Sequence, residues 1–251
     1  MDNDTYLTLF KTKIKRNGRN YLTRENYCVP THEPSYKVRK NIKIVQEFFE
    51  INNRYPGLVP DYYCNIPNCI FADNEHYTEE YVENHYNDCM KNFDLNMQFF
   101  SSLDTEKFNK HLMSFVRRNR FKEIDDLQTV SQIEGVYILV LDKYNQVYIG
   151  VSSDIKRRIL SHWSRKKEFD HLICGKVEES IISIDSFGAL DTTRIFYKPC
   201  SWWEKDKVEE KYVANFKSIY RLNRVAGGLN AEEDRTLRNL MLESNIQKRN
   251  F

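Results

Sequence analysis

Residues 135–163 read GVYILVLDKYNQVYIGVSSDIKRRILSHW, and no other stretch constrains the fold as tightly. Two apolar segments, Val136–Leu141 and Val147–Val151, flank the polar run Asp142-Lys143-Tyr144-Asn145-Gln146. Both are rich in β-branched and aromatic residues and the link is short, so an antiparallel hairpin is expected. Alternation along a strand sends Val136, Ile138 and Val140 to one face and Tyr137 and Leu139 to the other. On the second strand Val147 and Ile149 share a face, with Tyr148 opposite. A helix follows at once. Asp154 stands where an N-cap belongs, and Ile155, Ile159 and Trp163 recur at a spacing of four as one buried stripe. Arg158 and His162, also four apart, lie together on the flank of that stripe. Hairpin and helix thereby gather two phenols, a guanidinium and an imidazole. None is an obvious choice for a core, and all can handle a phosphodiester.

The chain has 251 residues, enough for one large or two small domains. Hydrophobic residues make up 41% and aromatics 14%, which supports a real core and excludes wholesale disorder. The net charge of +2 says little about partners, so local runs matter more. Lys11–Arg24 holds six basic residues and no acidic one, and Asp154–Lys167 holds six against a single aspartate. Such runs suit a polyanion such as nucleic acid, although a solvated face is the ordinary reading of any one of them. No stretch approaches the ~20 apolar residues of a membrane span. The N-terminus MDNDTYLTLF lacks the basic start and apolar run of a secretory signal, so an intracellular protein with no membrane partner is expected. Its six cysteines are then free thiols or metal ligands rather than disulfides.

The expected class is α+β. Residues 1–125 read as a basic, mainly helical region and 130–251 as a second domain built on the hairpin. The first thirty-odd residues read as an arm or a loosely packed opening. Helices are expected over 35–52, over 93–120 with Thr105 as a cap, and over 201–220 with Ser201 as its cap. Val208, Tyr212, Val213, Phe216 and Ile219 form the buried stripe of the last one. Ser180–Ile184 and Arg194–Tyr197 are the remaining strand candidates, and Asp185-Ser186-Phe187-Gly188 fits a turn.

Within 64–89 lies a cysteine–histidine cluster. Cys64 and Cys69 flank a knuckle containing Pro67, and His85 and Cys89 stand four apart, as paired ligands on a helix must. A knuckle plus a helical His/Cys pair is how small tetrahedral zinc modules are assembled. His76 competes with His85 for the third position, the central spacing exceeds the usual dozen, and reduced cysteines with a surface histidine are the plainer reading.

Gly135-Val136-Tyr137, then Tyr148-Ile149-Gly150 after ten intervening residues, then Arg158 and His162, resembles the GIY-YIG endonuclease family, with Val where the family name has Ile. The resemblance spans roughly Glu134 to Leu229. It implies a small antiparallel sheet flanked by helices and a metal-dependent endodeoxyribonuclease acting on DNA, double-stranded by preference. In that family a glutamate on a late helix is the sole protein ligand of a divalent ion, Mg2+ or Mn2+. Glu209 fits, with apolar Tyr212 and Val213 three and four residues on and Asn223 fourteen on; Glu210 is the runner-up. The resemblance further implies Arg158 on the phosphate, Tyr137 as proton acceptor, Tyr148 as water-orienting group and His162 sharing the proton or binding phosphate. Asn223 would serve as scaffold. The appended region would choose the target, in restriction, mobility or repair, with a dimer on DNA one of the open assemblies. The alternative from another class is a nucleic-acid-binding protein that keeps this fold without activity.

The zinc reading has a direct measurement: about one equivalent of Zn2+ in the purified protein, lost in Cys64→Ser. Less than about half an equivalent would overturn it.

Overall fold

The computed structural model describes residues 6–15, 20–36, 38–40, 76–201 and 205–223. Cys64, Cys69 and most of the helix expected over 35–52 lie outside them. The elements are β1 (Tyr6–Leu9), β2 (Thr12–Lys15), α1 (Arg24–Tyr27), α2 (Glu79–Ser101), α3 (Thr105–Asn119), β3 (Lys122–Glu123), β4 (Gly135–Leu141), β5 (Gln146–Ser152), α4 (Ile155–Ser164), β6 (Arg194–Pro199) and α5 (Lys205–Asn215). The class is α+β, with two antiparallel sheets among the described residues. Two compact units emerge from the contacts: Met1–Tyr27 with Asn92–Lys167 and Ile173–Phe251, and Cys28–Lys91 with Glu168–Leu172. No described helix is long and apolar enough to cross a membrane.

The larger unit is built on a four-stranded sheet of order β3-β6-β4-β5, antiparallel throughout. Strand β4 is central, and all seven of its residues are buried. The expected hairpin is the β4–β5 pair. Its link is a short 3₁₀ turn, Asp142–Tyr144, closed by Asn145 in the left-handed region at φ 52°. Asparagine tolerates that conformation better than most residues. Gly135 has its own reason: a Cβ there would stand 2.4 Å from the Lys198 carbonyl of β6, so only a bare Cα admits the neighbouring strand.

One face of the sheet carries the main core. Val136, Ile138, Val140, Val147, Ile149 and Phe196 pack with Phe108, Leu112, Phe115 and Val116 of α3 and Tyr212, Val213 and Phe216 of α5. Helix α3 precedes residue 125 in the chain yet belongs to this sheet. The segment 93–120 is not one helix: it breaks at 102–104, and the cap of α3 is Asp104, whose side chain accepts from the Lys107 N–H, not Thr105. Helix α5 also ends earlier than its stripe implied. After Asn215 the Lys217 backbone turns extended and its N–H donates to Nε2 of His111 on α3, 3.3 Å away.

Two other expectations change. The basic opening is not a loose arm in its described part, because β1 and β2 form a hairpin whose Phe10 ring stacks on Trp163. Ser180–Ile184 is not a strand. Its Ser180 carbonyl accepts from Asn92 and Asn96 at 2.6 and 2.9 Å, and Ile182 donates back to Asn96. Ile182 and Ile184 are buried, so the apolar alternation reported burial while side-chain amides satisfied the backbone.

The smaller unit holds the N-terminal part of α2, started by Thr78, whose hydroxyl accepts from the Tyr81 N–H. Tyr77, Tyr81 and His85 form a run of ring contacts that ends edge-on against Phe169.

Leu112 is fully buried beneath the sheet, so Leu112→Ala should destabilise the protein by about 2–5 kcal/mol in urea unfolding. A fragment starting at residue 126, lacking α3 and β3, should show no cooperative transition. Cooperative unfolding of that fragment would show that α3 is dispensable.

Candidate active site

The register of β4 and β5 sets Tyr137 opposite Gly150 and Leu139 opposite Tyr148, so both phenols project from the face away from the main core. Tyr137 lies across Gly150. A Cβ on that glycine would come within 2.6 Å of the phenol oxygen and 2.7 Å of the carbon bearing it. The glycine is thus a space requirement of the tyrosine directly opposite it on the adjacent strand, not a turn residue.

Helix α4 is capped by Asp154, whose side chain accepts from the Arg157 N–H, and buries Ile155, Ile159 and Trp163 as expected. His162 is buried as well, at 1% exposure, rather than lying on the flank. Its Nε2 is 2.7 Å from the Tyr137 hydroxyl, and its Nδ1 is 2.5 Å from Oδ1 of Asp185. The Tyr148 ring stands edge-on to the imidazole at 5.1 Å. Trp163 fixes the end of the helix by donating its indole N–H to Thr192 at 3.0 Å.

Asp185 is the functional candidate that sequence reasoning missed. It sits on a one-turn 3₁₀ segment, Ile184–Ser186, held at the end of the loop that Asn92 and Asn96 anchor. The available signal was indirect: a histidine on a buried helix face needs a partner for each ring nitrogen.

Burial and charge settle the protonation pattern. Burial, with the neighbouring Tyr148 and Glu209, pushes the Tyr137 phenol well above the ordinary tyrosine range, outweighing the opposing Arg158 guanidinium. Tyr148 moves the same way, chiefly through burial and Glu209. Burial lowers His162 despite the hydrogen bond and charge of Asp185. Burial alone would raise Asp185, but the hydrogen bond to His162 and the charges of Arg158 and Lys167 bring it below the usual carboxylate value. An ionised Asp185 can only accept, so Nδ1 of His162 carries the proton and Nε2 accepts from the Tyr137 O–H. The resting chain is carboxylate, neutral imidazole, neutral phenol. At both phenols desolvation outweighs the neighbouring guanidinium.

Arg158 lies beside both phenols and stays charged, its pKa raised because the electrostatic support of Tyr137, Tyr148 and Asp185 exceeds the cost of its partial burial. Glu209 is half-buried, and its carboxylate acts on both phenols; Glu210, one residue on, is exposed. Of the two carboxylates near the phenols, Asp185 is engaged with His162, and Glu209 is a ligand type that fits a hard divalent ion keeping most of its waters. Asn223 touches no reacting group. Its Oδ1 accepts from the Ile149 N–H at 3.0 Å and its Nδ2 donates to the Ile149 carbonyl at 2.7 Å. With Leu222 donating to Val147, it occupies the open edge of β5. Beside Asp185, a cleft lined by Trp163, Arg165, Lys166, Lys167 and Tyr27 mixes cations with aromatic faces.

In the smaller unit, His85 turns Nε2 to the Phe169 carbonyl at 2.9 Å. Cys89 is fully buried against Cys28, whose thiol, together with burial, holds it protonated. None of the described cysteines is in a disulfide. No family model, curated protein or solved structure matches the chain.

His162 should titrate below the ordinary histidine value of about 6.5, and lower still in Asp185→Asn, read by ¹⁵N chemical shifts of the imidazole. Its folded value is depressed, so the folded chain binds this proton less readily than the unfolded one. The stability it contributes is therefore fully present above about pH 6.5 and is lost as the pH falls below that toward and through the depressed folded value. A midpoint at or above the ordinary value would overturn the pattern.

Proposed function

We propose that the larger unit is a metal-dependent endodeoxyribonuclease of the GIY-YIG type that hydrolyses phosphodiester bonds in DNA. One observation carries the reading: Tyr137, Tyr148 and His162, from a hairpin and the helix after it, meet at one place beside Arg158, with the Glu209 carboxylate of a second helix within electrostatic reach of both phenols.

Arg158 holds the scissile phosphate and offsets its growing negative charge. Tyr137 takes a proton from the attacking water while passing its own to Nε2 of His162, so no free phenolate is needed despite the raised pKa. Asp185 stabilises the imidazolium that results; the departing oxygen takes its proton from solvent, and the imidazolium later returns its own to solvent through Tyr137. Tyr148 orients the water. A magnesium or manganese ion held by Glu209 would supply charge neutralisation at the phosphate and the leaving oxygen. The cleft of Trp163 and Arg165–Lys167 suits a strand of nucleic acid, cations for phosphates and rings for bases.

The N-terminal region would aim the enzyme, with Zn2+ on Cys64, Cys69, His85 and Cys89, inside the cell. A specific observation favours the alternative, a nucleic-acid-binding protein without activity: Tyr137 is fully buried, and water must enter before it can act.

Supercoiled plasmid with Mg2+ separates the two. The wild type should nick it, and Glu209→Ala and Arg158→Ala should each lower the rate at least 10²-fold, about 2.7 kcal/mol in barrier. DNA binding without cleavage under any divalent ion tried would sink the enzyme reading and leave the binding one.

A further inference from the structure

The smaller unit carries a cluster that neither the zinc spacing nor the phosphodiester site uses. Glu168, Asp170 and His171 lie on and just before a one-turn 3₁₀ segment, Phe169–His171. One ligand atom from each falls within 4.8 Å of the others. Acidic groups near a histidine are common on surfaces, and proximity alone would carry nothing. The second observation is the state of Asp170. Its side chain is only 4% exposed. Oδ2 is fully engaged, accepting from the Ser35 N–H at 2.8 Å and the Tyr77 O–H at 2.9 Å. Oδ1 is buried and has no hydrogen-bond partner, yet it points toward the cluster.

A buried carboxylate oxygen left without a donor is unfavourable, because it has given up water for nothing in return. His171 does not relieve it, because its Nε2 is 3.8 Å away, beyond hydrogen-bond reach. The same imidazole presents Nδ1 to Glu168 at 3.3 Å. One oxygen held by hydrogen bonds and the other bare is the pattern of a carboxylate oriented by its surroundings to bind an ion through the free oxygen. The turn that presents it is anchored: Phe169 and Leu172 are buried, and the Phe169 carbonyl accepts from His85. Glu168 is about half exposed and His171 partly so, which leaves both free to swing the short distance a bound ion requires.

We propose that Glu168, Asp170 and His171 form a binding site for a divalent transition-metal ion of the Mn2+ or Zn2+ class. The mixed carboxylate–imidazole set selects it over calcium or magnesium, which prefer all-oxygen shells. Three protein ligands leave the remaining positions to solvent on the Glu168 side. The ion ties Ser35, Tyr77 and residues 168–171 together through Asp170, and this site stands whether or not the larger unit cleaves DNA.

The test uses Mn2+ on the full chain after chelator treatment, in a Glu209→Ala background so that the other candidate carboxylate is absent. Manganese is chosen because thiolate sites hold it poorly. One equivalent of bound Mn2+ is expected by electron paramagnetic resonance, with nitrogen coupling from an imidazole. His171→Ala should abolish that coupling, and it and Glu168→Gln should each weaken binding at least tenfold. Both residues lie on the surface side of the site, so circular dichroism should show the fold retained. Asp170→Asn, which keeps the shape of the group, should weaken binding as well. No bound Mn2+ in this background, or binding that all three substitutions leave unchanged, would overturn the proposal.

Discussion

A hydroxyl hydrogen bond removed from water, from Tyr137 to Nε2 of His162, organises one whole face of the sheet. It exists only because three separate conditions hold. Gly150 leaves a gap beside the phenol, since any side chain there would collide with it. Helix α4 begins at a firm cap and runs just far enough to bring its eighth residue over β4. Asp185 then fixes the ring from behind, so that Nε2 faces Tyr137 with its lone pair free. A buried polar chain of this kind is stabilising only when every member is satisfied, and here each one is.

The charges around that chain are arranged against the dielectric rather than with it. Arg158 favours ionisation of both phenols, yet burial and the Glu209 carboxylate prevail and keep them neutral. The same burial keeps His162 neutral beside an ionised Asp185. The result is a site with one cation, two anions and three neutral polar groups between them. Each charge there has an opposite charge or a hydrogen-bond donor beside it, which is what burial of charged groups requires.

Support for the site comes from parts of the chain with no chemistry of their own. Asn223 serves as a surrogate strand, pairing with both backbone groups of Ile149 at the edge of β5. Asp191 accepts from Leu22, Gly188 and Tyr144 and so ties the opening of the chain to the loop before β6. Asn92 and Asn96 of α2 hold the carbonyls of 177–180, from which Asp185 follows. These are long-range hydrogen bonds to backbone groups that no sheet or helix satisfies, and burial demands them.

Elements whose signals are local were legible in the residues. The β4–β5 hairpin, the cap and stripe of α4, strand β6 and the buried face of α5 all follow from periodicity and capping over a few neighbours. The faces of Tyr137 and Tyr148 followed from pleat alone, whereas Glu209 was set apart from Glu210 only by the family resemblance. What escaped was decided at a distance. The stretch 180–184 looks like a strand, but its backbone partners are amides some eighty-five residues earlier. Asp104 displaced Thr105 as the cap of α3, and the assignment of α3 to the sheet depended on a core shared with residues far along the chain. Asp185 looked like part of an ordinary turn because its partner, His162, is twenty-three residues away and turns to meet it only in the fold. Local order is written in near-neighbour spacing, because strand and helix geometry repeat every few residues. Which buried donor meets which acceptor is set by how the elements pack, and only the tertiary structure decides that.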